Sequence, residues 1–183
     1  MFKKTVYFEE KDLAYWKNKS LLKRWKKEYP DSIQNHMFKI LNSREKLSMF
    51  CFGELYTGIY YAKKGYKFLY EPWIENFLLT KAKMPELKKL QEQFINIFVS
   101  YAGQKMFDFI QKNIAKNINK GQPDLFVYKR GDFFFVEVKK EGDSLTKEQK
   151  IFIKKIGKIS LKVKLVSVRK CSYLSSAYAK ALS

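Results

Sequence analysis

Residues 121–140 read GQPDLFVYKRGDFFFVEVKK, two apolar runs around a turn. Side chains alternate between the two faces of a strand. In the second run this puts Phe133, Phe135, Glu137 and Lys139 on one face and Phe134, Val136 and Val138 on the other. In the first run it groups Asp124 with Phe126 and Tyr128. Lys129-Arg130-Gly131-Asp132 forms a four-residue loop with glycine at a turn position. Folded about that loop, Tyr128 faces Phe133, and counting inward brings Asp124 opposite Glu137. Directly opposed residues share a face, with Cβ atoms about 5 Å apart. Two carboxylates so placed repel unless something positive lies between them. A slip of one residue in the loop would send Asp124 to the other face, so the reading stands on the register.

Hard carboxylate oxygens converging on rigid backbone are what Mg²⁺ requires. Lys139, two residues on and on the same face, reaches a phosphate or orients a water on that metal. These are the parts of metal-assisted phosphodiester hydrolysis, in which the metal polarises the phosphoryl oxygen and lowers the pKa of the attacking water. The plain alternative is a surface hairpin with a charged wet face. Phe126, Phe133 and Phe135 on that same face weigh against it.

Outward from the hairpin, the chain shows no repeat and no linker. Residues 9–28 read as a helix with Leu13, Trp16, Leu21 and Trp25 as its apolar stripe; Tyr29-Pro30-Asp31 breaks it, and a short helix follows to Leu41. Ser43 opens a helix to about Lys64, closed by Gly65, and Tyr66 to Tyr70 alternates as a strand ending near Pro72. Residues 74–81 fit either state. Pro85 suits the first position of a helix to Ala102, stopped by Gly103, and another helix covers 104–118. After the hairpin come a helix from Lys147 to Ile156 and a strand from Leu161 to Arg169. That order implies an α/β fold, a small mixed sheet flanked by helices in a single domain. Residues 1–42 form a helical extension, 43–70 and 121–170 the sheet-bearing core, and 71–120 a helical insert. The insert's stripe of Leu87, Leu90, Phe94, Ile97, Phe98 and Tyr101 reads as core.

The length of 183 residues suits one domain, and the formal charge of +19 is spread along it. A polyanion would relieve that self-repulsion, and nucleic acid is the first candidate because neutralised phosphates release counterions. A lysine-rich surface without such a partner is the alternative. Cys51 and Cys171 share no motif spacing, which suits a reducing compartment and the cytoplasm. The single histidine, His36, cannot build a zinc site. MFKKTVYFEEKDLAYW lacks the apolar segment of a signal peptide. The run from Leu47 to Ala62 is too short to span a bilayer and contains Glu54, so no membrane association is expected.

Gly121-Gln122-Pro123-Asp124-Leu125, then Glu137-Val138-Lys139, then Asp143-Ser144-Leu145 with Gln149 resemble in order the G-x-PDL, EVK and D-x-L-x-x-x-Q of the VRR-NUC branch of the PD-(D/E)XK nucleases. The resemblance covers 121–169 well and 44–70 loosely. It implies a restriction-endonuclease-like core and a Mg²⁺- or Mn²⁺-dependent endonuclease. It also implies a further glutamate on the helix before the sheet, a place that Glu54 fits, with Glu71 and Glu75 as lesser rivals. Glu54, Asp124, Glu137 and the Val138 carbonyl would hold the metal. Lys139 would position or deprotonate the water, and Gln149 would face the substrate. Gln149 has a second reading, since Thr146-Lys147-Glu148-Gln149 is a capping box.

The branch includes virus-type nucleases and an interstrand-crosslink repair nuclease, and its stand-alone members resemble Holliday-junction-resolving dimers. DNA, branched DNA first (junction or flap), is therefore the expected partner, in repair or recombination, with a homodimer as the corresponding assembly. Nothing in the chain reads a 2′-hydroxyl, which leaves RNA open. Lys23, Arg24, Lys26, Lys27, Lys63, Lys64, Lys154 and Lys155 are candidates to track the backbone. Two other classes stand beside this reading: a non-catalytic nucleic-acid binder with the same fold, and a basic protein for an acidic protein partner.

Overall fold

The structure is a computed structural model and describes residues 2–47, 49, 51–70, 85–113 and 121–171. Along the chain come β1 (Phe2–Phe8), α1 (Glu10–Lys17), α2 (Ser20–Glu28), α3 (Asn35–Ser43), α4 (Phe52–Ala62) and β2 (Lys67–Tyr70). They are followed by α5 (Pro85–Ala102), α6 (Gln104–Asn113), β3 (Leu125–Lys129), β4 (Asp132–Lys140), α7 (Lys147–Gly157) and β5 (Val163–Lys170). The strands make one mixed sheet in the order β1-β5-β4-β3-β2. β4 runs antiparallel to β3 and parallel to β5, so the β4–α7–β5 segment is a crossover unit that lays α7 against the sheet.

The hairpin takes the expected register. Tyr128 pairs with Phe133 and Leu125 with Val136, which carries Asp124, one residue before β3, to the level of Glu137. Its two faces enter two separate cores. Leu125, Val127, Phe134, Val136 and Val138 pack with Trp16, Leu22, Phe52 and Leu55 from the helices α1, α2 and α4. Phe126, Tyr128 and Phe135 pack with Phe94, Phe98, Phe107 and Phe152 from α5, α6 and α7. A charged wet face is therefore not what this hairpin has, because helices cover both sides. Burial of this kind stabilises by about 25 cal/mol per Å² of apolar surface.

Three expectations are corrected. Residues 1–42 are not wholly helical, because residues 2–8 form a strand that pairs with β5 along its whole length, from Phe2 with Lys164 to Phe8 with Lys170. Val6 and Phe8 alternate into the core, but the exposed Phe2, Lys3 and Lys4 hide that period in the sequence. The helix expected over 9–28 is two helices, parted at Lys19, whose φ is +68°. Lys19 Nζ donates to the carbonyls of Asn42 and Arg44, 3.2 and 2.8 Å away, which ties the bend to the end of α3. Finally, Ser43 ends α3 and does not open a helix to Lys64; α4 starts only at Phe52, after Cys51 at φ +61°. The Leu47 amide donates to the Lys17 carbonyl instead of continuing a helix, so a tertiary bond overrides the local helical pattern.

The expected helix over 85–102 is observed as such, and Gly103 at φ +85° separates it from α6. Within the insert stripe, Phe94 and Phe98 are buried, whereas the Leu87 and Leu90 side chains, residues 74–81 and the end of the 104–118 helix lie outside the described residues. Glycine sets one close approach in this frame: a Cβ on Gly58 would stand 2.6 Å from the Phe68 ring, so α4 sits directly on β2. Among the described residues no helix is long and apolar enough to cross a membrane.

Candidate active site

The site forms where β3 begins and β4 ends. Asp124 stands just before β3, and its Oδ2 accepts a 2.6 Å hydrogen bond from the Val138 amide. That bond fixes the carboxylate against the neighbouring strand. Glu137 points to the α7 face and is 2% exposed. A carboxylate that deep is costly unless it is paired. Lys139 supplies the pairing: its Nζ lies 2.8 Å from Glu137 Oε1, with the lysine side chain only 12% exposed. Glu137 Oε1 also accepts from Gln149 Nε2, and Lys139 Nζ donates to Gln149 Oε1 at 2.9 Å. Glu137, Lys139 and Gln149 thus close a three-membered ring of contacts.

Gln149 is at once a helix cap and a neighbour of Glu137 and Lys139. The Thr146 amide donates to Gln149 Oε1 at 3.0 Å and the Gln149 amide to Thr146 Oγ1 at 3.2 Å, a complete capping box at the start of α7. The cap orients the same amide group that meets Glu137 and Lys139. Asp143 acts locally, since its Oδ2 accepts from the Lys140 amide at 3.0 Å and closes the turn after β4.

Gly121 is legible in the sequence as part of a motif, but its physical reason appears only in the fold. It holds φ +96°, and a Cβ there would lie 2.7 Å from the Gln149 amide nitrogen and from the Glu148 carbonyl carbon. The loop before Asp124 therefore rests on the first turn of α7. Backbone atoms cannot yield as a side-chain tip can. Gly121→Ala is expected to destabilise by about 1–3 kcal/mol and to push Gln149 away from Glu137. Urea unfolding would read the first effect, and an unchanged midpoint would mean the loop relaxes without strain.

Glu54 lies in the first turn of α4, on the opposite side of the sheet from α7. A Cβ on its neighbour Gly53 would be 3.5 Å from Val138 Cγ1, so this helix end packs at the end of β4. The Glu54 charge raises the pKa of both Asp124 and Glu137, which places it electrostatically with the pair. Glu71 and Glu75 lie outside the described residues.

The electrostatics follow from crowding. Burial first, then the Glu137 charge, pushes the Asp124 carboxyl up to about 8; Glu54 adds to this, while the Val138 amide and Lys139 oppose it. Burial likewise raises Glu137, against the hydrogen bond and charge of Lys139. The sign of the consequence is definite. An unfolded chain releases the Asp proton near pH 3.9, whereas the folded metal-free protein keeps it until about pH 8. The folded state holds the extra proton between those values, so this group's stabilising share is full below about pH 4 and is lost as pH rises through 8. Thermal melts in a chelator across this window should show the decline, and Asp124→Asn should flatten it. A wild-type profile as flat as the variant's would contradict the crowded arrangement.

Two features fit a divalent cation: all the side-chain donors are hard oxygens, and their charges destabilise one another in its absence. The ligands are not drawn into a closed set, however. Among the described residues no three His, Cys, Asp or Glu side chains form a ready metal-binding group, and Glu137 is engaged by Lys139 and Gln149. The candidate backbone-tracking cations are dispersed, with Lys23, Arg24, Lys26 and Lys27 on α2, Lys63 and Lys64 after α4, and Lys154 and Lys155 on α7. Lys26 Nζ is spent on the carbonyls of Pro30 and Ile33, both 2.6 Å away.

A family model described as the VRR-NUC domain matches residues 70–170, more than half of the chain. The matched segment contains Asp124, Glu137, Val138, Lys139 and Gln149 and begins after Glu54. No curated protein matches the chain.

Proposed function

This chain belongs to the VRR-NUC family of nuclease domains, and from that membership we propose that it is a divalent-metal-dependent endonuclease that hydrolyses DNA phosphodiester bonds, with branched DNA preferred. The observation that carries the reading is the convergence of Asp124, just before β3, with Glu137 and Lys139 of β4 at one end of the sheet. Glu54, Asp124, Glu137 and the Val138 carbonyl are the residues that would hold Mg²⁺ or Mn²⁺. Bound there, the cation supplies Lewis acidity toward the phosphoryl oxygen and lowers the pKa of the attacking water.

The chain's own groups account for the rest. The Val138 amide keeps the Asp124 carboxylate aimed across the β3–β4 pair. Lys139 Nζ, held between Glu137 and Gln149, is positioned to direct the attacking water and to balance negative charge growing on the phosphate. Gln149, anchored through its cap, keeps that ammonium in place. The net charge of +19 favours the polyanion and should make binding fall steeply with salt. The preference for junctions or flaps, and a homodimer to match, rest on the family's resemblance to junction-resolving enzymes.

The deciding experiment is a cleavage assay with purified protein, Mg²⁺ or Mn²⁺, and labelled four-way, flap, linear duplex and single-stranded DNA. Metal-dependent cutting that disappears in Asp124→Asn supports the class, and the DNA cut fastest names the substrate. Binding without cutting on every substrate would favour the non-catalytic binder instead. Light scattering on the protein alone tests the dimer.

A further inference from the structure

We propose that a groove between β1, α2 and α4, apart from the carboxylates, binds a single-stranded segment of nucleic acid. This rests on the nucleic-acid substrate of the preceding reading and adds a second place of contact. The groove has a volume of about 500 Å³ and is lined by Lys4 and Tyr7 of β1, Arg24 of α2, and Tyr56, Tyr60 and Lys63 on or just after α4.

Lys4, Lys11, Arg24 and Lys63 outnumber the two acids of its lining, Glu9 and Asp12. The acids at its rim are engaged: Glu9 pairs with Lys11 at 2.6 Å, and Asp12 accepts from the Tyr56 hydroxyl at 2.9 Å. Among the described residues no ion pair engages Lys4, Arg24 or Lys63. The Tyr60 ring has two ammonium groups near it. Lys4 Nζ is 5.3 Å and Lys64 Nζ 5.0 Å from its centroid. A tyrosine face attracts each cation, and the positive charge gathered around the ring favours a phosphate nearby. Cations spaced along a groove, with the half-buried Tyr60 ring among them, suit the backbone of a single strand and offer a base one aromatic face.

The position argues for a separate arm and not for the strand being cut. β1 lies two strands from β4 in the sheet, about 10 Å at the usual spacing. At about 100° per residue, Tyr56, Tyr60 and Lys63 fall on the side of α4 away from Glu54. A groove of this volume admits a short stretch of single strand and not a duplex. A substrate with a free arm can therefore fill both places at once.

The test is binding by fluorescence anisotropy, in EDTA, of a labelled oligothymidylate to the full chain. Lys4, Arg24 and Lys63 are all exposed, so Lys4→Ala/Arg24→Ala/Lys63→Ala should fold normally, as circular dichroism would verify. The triple variant is expected to bind at least about tenfold more weakly. Its slope of log affinity against log salt should be shallower by about 2, at about 0.7 per phosphate neutralised on a single strand. The control variant Lys39→Ala/Lys105→Ala/Lys112→Ala removes as much charge from exposed positions elsewhere. Equal weakening in both triples, or none in the first, overturns the groove. Because this readout needs no metal, a protein that cuts DNA but binds no single strand overturns the groove alone. Groove-dependent binding without any cleavage overturns the metal-dependent reading alone.

Discussion

Asp124→Asn is expected to lower the cleavage rate by at least about a thousandfold, some 4 kcal/mol of transition-state stabilisation, while the variant stays as stable as the wild type or becomes more so. The two halves come from the same geometry. Asp124 stands in a crowded acidic place, its carboxyl raised to about 8 by burial and by Glu137 and Glu54. An asparagine keeps an oxygen for the Val138 amide, which now donates to Asp124 Oδ2, and can never take on the charge that its neighbours resist. What is lost is an anionic donor for a cation. Repulsion toward phosphate is lost as well, so the variant should bind DNA no more weakly than the wild type. Cleavage assays, thermal melts and anisotropy on one preparation check all three. Wild-type activity in the variant would remove Asp124 from the site, and loss of activity with a collapsed melting temperature would make it a structural residue. A gain in stability together with loss of function is the signature of a charge kept for chemistry against the preference of the fold.

What can be read from the sequence is what the local chain determines. The loop Lys129–Asp132 sets the pairing of β3 with β4, and once it is counted the period of two assigns every side chain from Asp124 to Lys139 to a face. The two cores follow those faces. The capping role of Gln149 is legible because Thr146 and Gln149 stand three apart. The rest depends on contacts between distant segments. β1 gains its stability from β5, about 160 residues away along the chain, and its own sequence starts with an exposed Phe-Lys-Lys. The late start of α4 depends on Cys51 adopting a left-handed conformation and on a bond from Leu47 to Lys17, neither of which a helical stripe announces. Glu54 is legible only through the resemblance, as a glutamate on the helix before the sheet. Its nearness to the acidic pair follows from the packing of the first turn of α4 at the end of β4, where Gly53 lies beside Val138. The groove behind β1 is invisible in the sequence for the same reason as the strand that forms its wall.

The second large effect concerns Lys139, and here the structure separates two losses that the sequence alone would merge. Lys139 is both the candidate water-directing cation and the partner of a carboxylate that is 2% exposed. Lys139→Ala should therefore abolish measurable cleavage and also cost about 3–5 kcal/mol of stability, the usual result of stripping one partner from a buried pair. A lost activity would then be ambiguous, because the β4 end of the site could simply have come apart. Neutralising both members resolves the ambiguity. In Glu137→Gln/Lys139→Met no charge is left stranded, Gln149 retains an amide partner, and the methionine fills most of the lysine's volume. Urea unfolding should place this double variant within about 1.5 kcal/mol of the wild type, as volume-conserving core changes allow. It should remain as inactive as Lys139→Ala. Recovered stability with no recovered activity assigns the pair to the chemistry. If the double variant cleaved DNA, the ion pair would serve only the packing of β4 around Gln149 of α7, and the catalytic groups would have to be sought elsewhere.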